Sequence, residues 1–133
     1  MNRRKKRILV VDDDPDLVDL LTLLLRADYE VVSALDGAEA LARIRAEHFD
    51  AVVLDLVIPL VDGALLKRTM DVLGSHVPVI ILSATTDVAS TARDLGAAGH
   101  LRKPFDPEDV TTTVARVVGA GREQPRGGRS VAP

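Results

Sequence analysis

The sequence predicts an α/β fold in which five β-strands alternate with five α-helices and form a parallel sheet covered on both faces. Three observations lead there. Short apolar runs at 8–11, 31–34, 51–54, 79–82 and around Leu101 alternate with longer stretches of helical periodicity. The runs are rich in Val, Ile and Leu without polar alternation, as expected of strands buried on both faces. Hydrophobic residues make up 47% of the chain, yet it holds one Tyr, two Phe and no Trp, so aliphatic side chains must fill the core.

The helices are marked by their caps. The first opens with Asp14 as N-cap and Pro15 at the first helical position, then carries Leu17, Val18, Leu21, Leu24 and Leu25 at helical spacing. The second begins at Asp36, with Glu39 completing a capping box, and ends near His48. The third spans about 64–73 and the fourth about 88–95, closed by Gly74 and Gly96. The fifth starts at Asp106 and Pro107, with Asp109 reaching back, and presents Val110, Val114, Val117 and Val118 on one face. After Gly119 the chain becomes rich in Gly, Arg and Pro, too poor in apolar residues to offset its ordering entropy. The expected organisation is a basic N-terminal arm at 1–6, a folded domain at 7–119 and a disordered tail at 120–133.

With 133 residues, one domain is expected and a second catalytic or DNA-binding domain would not fit. The formal charge of −3 argues against direct DNA binding, although 3–7 is locally basic and reads as a solvated arm. The absence of cysteine excludes disulfides and thiolate metal sites. With no membrane-length apolar stretch and no signal-peptide pattern, the expected location is cytoplasmic.

The chemistry sits at the ends of the runs. Asp12 and Asp13 close the first, Asp55 the third, Ser83 the fourth and Lys103 the fifth. In an open α/β sheet, residues at the C-terminal strand ends converge on one crevice. Adjacent carboxylates repel unless a cation lies between them, and hard oxygen donors suit Mg²⁺, with Mn²⁺ as the alternative. Asp55 at the end of a central strand can act as a nucleophile towards a phosphoryl group. Lys103 and the Ser83 hydroxyl can hold phosphoryl oxygens. Taken singly, each has a plainer reading: Asp55 as a helix cap, the Asp12 to Asp14 triplet as solvated loop acids, Ser83 and Lys103 as ordinary strand ends.

In order and spacing, VVDDD at 10–14, DLVIPLVDG at 55–63, LSA at 82–84 and KPF at 103–105 together resemble the receiver domain of two-component response regulators, over about 7–119. The resemblance implies a doubly wound, flavodoxin-like sheet of order 2-1-3-4-5. It implies Asp55 as phosphoacceptor and Asp12 and Asp13 as the acidic pair that binds Mg²⁺. By their placement Asp13 and Asp55 would supply carboxylates directly, Asp12 would hold a water and the Val57 backbone carbonyl would fill another position. Ser83 would be the switch hydroxyl and Lys103 the phosphate-binding lysine. The donor would be a phosphohistidine on a sensor histidine kinase or histidine phosphotransfer protein. Output would be binding of a downstream protein through the fourth helix, fifth strand and fifth helix, a face through which receivers also pair, so a phosphorylation-linked homodimer stays open. Such a protein is not an enzyme beyond its own phosphorylation and dephosphorylation.

His100 departs from the family pattern by standing where Tyr or Phe is usual, which suggests a muted or pH-coupled switch. Ile58 replaces the more usual Met before Pro59, and Val57 and Thr85 occupy positions that tune acyl-phosphate lifetime in the family. Two rivals remain: a phosphorylation-independent interaction module, and a Mg²⁺-dependent aspartyl-phosphate phosphatase. The phosphatase pattern needs its nucleophile on the first strand and a second Asp two residues later, where this chain has Asp55 on the third and Val57.

Overall fold

The fold is seen in a computed structural model that describes residues 5–57 and 63–127, with side chains as far as Gly119. The elements, in chain order, are β1 (Lys6–Val11), α1 (Pro15–Leu25), β2 (Tyr29–Ala34), α2 (Gly37–Ala46), β3 (Ala51–Asp55), α3 (Gly63–Val72), β4 (Val79–Ser83), α4 (Val88–Asp94), β5 (Gly99–Arg102) and α5 (Pro107–Gly127). All strands are parallel and the sheet order is β2-β1-β3-β4-β5, as the resemblance implied.

Strand periodicity divides the core in two. Leu9, Val11, Val52, Leu54 and Ile81 face α2, α3 and α4, whose Ala40, Leu66, Met70 and Ala92 pack against them. Ile8, Val10, Val53, Ile80 and Leu82 face the other way, onto Leu21 and Leu25 of α1 and Val110 and Val114 of α5. Each fully buried aliphatic side chain contributes about 1.5–3 kcal/mol. Every residue of β3 and β4 is buried, so the centre of the sheet is the most firmly held part and a suitable base for a site at its edge.

The expected punctuation is observed with small variations. Asp14 accepts a hydrogen bond from the Asp16 N–H at 3.0 Å, and Pro15 leads α1. Asp36 accepts from the Glu39 N–H at 2.8 Å, while Glu39 Oε1 accepts from the Leu35 N–H at 3.0 Å, one residue before the cap. Gly74 and Gly96 have φ of 80° and 70° and close α3 and α4 with paired bonds, Ser75 N–H to Met70 O at 2.9 Å and Ala97 N–H to Ala92 O at 2.9 Å.

Two expectations at the chain ends are corrected. Helix α5 continues past Gly119 to Gly127, so 120–127 of the expected disordered tail is helical. Ala120, Arg122, Glu123 and Gln124 are good helix formers, whereas Gly121 costs about 1 kcal/mol and Pro125 about 3 kcal/mol in a helix interior. The remainder of that tail, 128–133, lies outside the described residues, as does 1–4 of the basic arm. The other correction concerns Lys5, Lys6 and Arg7. Strand β1 already begins at Lys6, and Lys5 Nζ donates to the Arg26 carbonyl at 3.0 Å. The Arg7 guanidinium meets Glu47 at 2.9 Å and Glu30 at 3.4 Å and lies 4.9 Å from the Phe49 ring centre. Because β1 lies between β2 and β3, Glu30 of β2, and Glu47 and Phe49 ahead of β3, gather around Arg7, and it is a half-buried tie rather than a solvated charge.

Ile58 and Pro59 of the expected β3–α3 turn lie outside the described residues. Gly63 does not: its N–H donates to the Leu56 carbonyl at 3.0 Å. A Cβ there would stand 2.6 Å from Leu56 Cα and 2.8 Å from the Asp55 carbonyl oxygen. Both are backbone atoms and cannot rotate away. Gly63→Ala is expected to destabilise the protein by about 1–3 kcal/mol, read as a lower urea midpoint, and an unchanged midpoint would contradict this close approach.

Candidate functional site

Register brings the strand ends together. Val11 pairs with Leu54, Asp55 with Leu82, and Ser83 with Arg102, so Asp12, Asp55, Ser83 and Lys103 end neighbouring strands on one edge. Asp12 is fully buried, and Asp55 and Ser83 are each 4% exposed. Among the described residues one other charged side chain is that deep, Lys67, and it is paired with Asp71 at 2.8 Å.

The site is an acidic cluster with one ammonium at its centre. Single oxygens from Asp12, Asp13 and Asp55 lie within 4.8 Å of one another. Lys103 Nζ donates to Asp55 Oδ2 at 2.9 Å and lies 3.6 Å from Asp12 Oδ2. Asp55 Oδ1 accepts from the Val57 N–H at 2.9 Å, so both oxygens of the central carboxylate are held. Asp12 Oδ1 accepts from the Asp14 N–H at 2.9 Å, but Asp12 Oδ2 is buried without a hydrogen-bond partner.

Three carboxylates against one ammonium leave negative charge uncompensated. Burial pushes the Asp12 carboxyl up to about 6; the Asp14 N–H works against this, the charge of Asp55 adds to it and Lys103 opposes it. For Lys103, burial alone would lower the ammonium, and its hydrogen bond to Asp55 and the charges of Asp55 and Asp12 outweigh burial, holding it above its ordinary value. The donor set therefore fits a hard divalent cation: all ligand atoms are carboxylate oxygens, they converge, and one lacks any donor. Asp12, Asp13 and Asp55 would hold it.

The structure brings Lys103 against Asp55 and Asp12, sets an Asp13 oxygen within 4.8 Å of oxygens of both acids, and places Ser83 on the same edge. The Ser83 carbonyl accepts from the Lys103 N–H at 2.8 Å, and its hydroxyl lies 3.1 Å from that of Thr85, whose N–H also donates to it at 3.2 Å. This Ser–Thr contact was not foreseen; Ser followed two residues later by Thr just beyond a strand is its sequence signal. Val57 meets Asp55 through its N–H, and its side chain is exposed. His100 is exposed on β5, an edge strand.

A family profile described as the response regulator receiver domain matches residues 8–115, most of the chain. The chain belongs to that family. The receiver is similar to the DNA-binding response regulator MtrA of Mycolicibacterium smegmatis, 34% identical over 128 residues, covering 94% of this chain and 56% of that protein. It thus spans about half the length of the curated relatives it matches. Among solved structures it resembles the receiver domain of the Francisella response regulator 1452, at a TM-score of 0.81 and 28% identity over 86% of this chain and 98% of that one. A CheY-like receiver domain protein from Methanospirillum hungatei matches at a TM-score of 0.82 and 26% identity, over 90% and 98%. No helix among the described residues of the receiver is long and apolar enough to cross a membrane.

Proposed function

We propose that this receiver accepts a phosphoryl group on Asp55 from a phosphohistidine of a sensor histidine kinase or histidine phosphotransfer protein, and that the modification changes its binding to a downstream protein. The observation that carries this reading is the double restraint on Asp55: Val57 N–H on one oxygen and Lys103 Nζ on the other, each at 2.9 Å, beside two further carboxylates. A carboxylate so fixed loses little freedom on reaching the geometry of attack.

In the transfer, an Asp55 oxygen forms the new bond to phosphorus as the bond from phosphorus to the histidine nitrogen breaks. The nitrogen keeps the electron pair and becomes neutral imidazole. Lys103, already charged in the resting site, shifts from Asp55 to the incoming phosphoryl oxygens, and the Ser83 hydroxyl donates to another. Bound Mg²⁺ would neutralise charge on the transferred group, held by Asp12, Asp13 and Asp55, with the Val57 carbonyl as a further ligand. Catalysis is then positioning and electrostatics, confined to the protein's own modification. Output passes through the face formed by α4, β5 and α5, where His100 is exposed, to a separate protein or a second copy. Such a donor resides in the cytoplasm, which is the proposed location. The DNA binding in the relatives' names belongs to those longer proteins.

Incubation with a small phosphodonor in Mg²⁺, followed by intact mass, is expected to show a gain of one phosphoryl group that EDTA prevents. No gain with Mg²⁺ and donor in excess would overturn the proposal.

A further inference from the structure

In the proposed reaction Ser83 must turn its single O–H proton towards a phosphoryl oxygen on Asp55. In the structure that hydroxyl is already engaged. Its oxygen accepts from the Thr85 N–H at 3.2 Å and lies 3.1 Å from Thr85 Oγ1. A hydroxyl has one proton and two lone pairs. Ser83 is 4% exposed, and among the described residues the acceptor within reach of its proton is Thr85 Oγ1. Thr85 is exposed, so its own proton can be given to water.

These bonds also tie down the segment between β4 and α4. Asp87, at the N-cap of α4, makes no side-chain capping bond, so the helix is not fastened there by its own cap. Among the described residues, the Ser83–Thr85 pair is the side-chain link that joins the beginning of this segment to the buried end of β4.

Building on the proposed function, we infer that Thr85 is a positioning residue: its hydroxyl holds that of Ser83 in a resting orientation, and phosphorylation of Asp55 must break this contact before Ser83 and the following segment can move. Thr85 touches neither Asp55 nor the donor in this role; it acts through Ser83. Its hydroxyl sets the population of the resting form against the switched form.

The test compares Thr85→Val, which keeps size and backbone N–H and removes the hydroxyl, with Thr85→Ser, which keeps the hydroxyl. The readouts are affinity for beryllium trifluoride, a phosphoryl mimic that adds to the Asp55 carboxylate, in saturating Mg²⁺, and the rate of phosphorylation by a small donor. One hydrogen bond fewer in the resting form should raise both by about 2- to 10-fold in Thr85→Val. Thr85→Ser should match the wild type. In a Ser83→Ala background, Thr85→Val should have no further effect, which a merely structural role would not produce. A Thr85→Val protein equal to or weaker than wild type, a Thr85→Ser protein that behaves like it, or an effect that persists in Ser83→Ala would overturn the inference while the wild-type adduct upholds the proposed function. A wild type that forms no adduct and takes up no phosphoryl group would overturn both.

Discussion

Lys103→Ala is expected to lower the stability of the metal-free protein by about 2 kcal/mol and to slow phosphorylation of Asp55 by at least about tenfold. Lys103 Nζ is the cation of the site, 2.9 Å from Asp55 and 3.6 Å from Asp12, both nearly inaccessible to water. Removing one partner of such a pair leaves buried charge without compensation, which is costlier than never having built the pair. The figure is set below the fully buried case because the Lys103 side chain is 29% exposed and water screens part of the loss. Mg²⁺ should return part of the stability by binding only the folded form, since it supplies the missing positive charge. Urea denaturation in EDTA and in Mg²⁺ checks both points. Wild-type stability in EDTA would show that the ammonium is not what holds the acids together.

Asp12→Asn is expected to act in the opposite direction, stabilising the metal-free protein at pH 7 by about 1–2 kcal/mol while reducing Mg²⁺ affinity at least about tenfold. Asp12 is fully buried, its Oδ2 has no hydrogen-bond partner, and burial raises its carboxyl from 3.8 to about 6. A carboxylate with that upward shift is less comfortable folded than unfolded, and the neutral amide removes the strain while keeping an oxygen for the Asp14 N–H. The loss of attraction to Lys103 limits the gain. The sign with pH follows from proton uptake. A folded value above the unfolded one means the native state binds more protons between about pH 4 and 6, so this group's contribution improves as pH falls through that window and is least favourable above it. The difference in stability between Asp12→Asn and wild type in EDTA should therefore shrink as pH drops from 7 to about 4. A difference independent of pH would show that Asp12 carries no strain.

The site was more legible in the sequence than its surroundings. Strand ends can be read from runs of Val, Ile and Leu, and a polar residue just beyond a buried run has one direction to face, so Asp12, Asp55, Ser83 and Lys103 could be placed on a common edge before their distances were known. Helix starts were equally plain, because Asp14-Pro15 and Asp106-Pro107 encode a cap and a fixed φ within adjacent residues. Strand order was different: β1 pairs with β2 on one side and β3 on the other, and no local pattern states this; it came from family resemblance. Arg7 was misjudged for the same reason. Its neighbours in the chain are charged, but its partners Glu30, Glu47 and Phe49 are brought to it by pairing across strands. The sequence places the end of α5 near Gly119 because the chain beyond it is rich in Gly, Arg and Pro and poor in apolar residues, and such composition does not mark how far a helix formed upstream extends, here to Gly127. The Thr85 contact escaped because a hydroxyl pair two residues apart is common and gains meaning only when one partner is buried.

The central claim is that the fold makes Asp55 the nucleophile of this cluster, and locating the phosphoryl group tests it most directly. After reaction with a small phosphodonor in Mg²⁺, borohydride reduction converts an acyl phosphate to homoserine, and peptide mass spectrometry then reads which residue changed. Homoserine at position 55 alone, absent when Mg²⁺ is withheld, is the expected result. Label at Asp12, Asp13 or Ser83 with Asp55 intact would contradict the account.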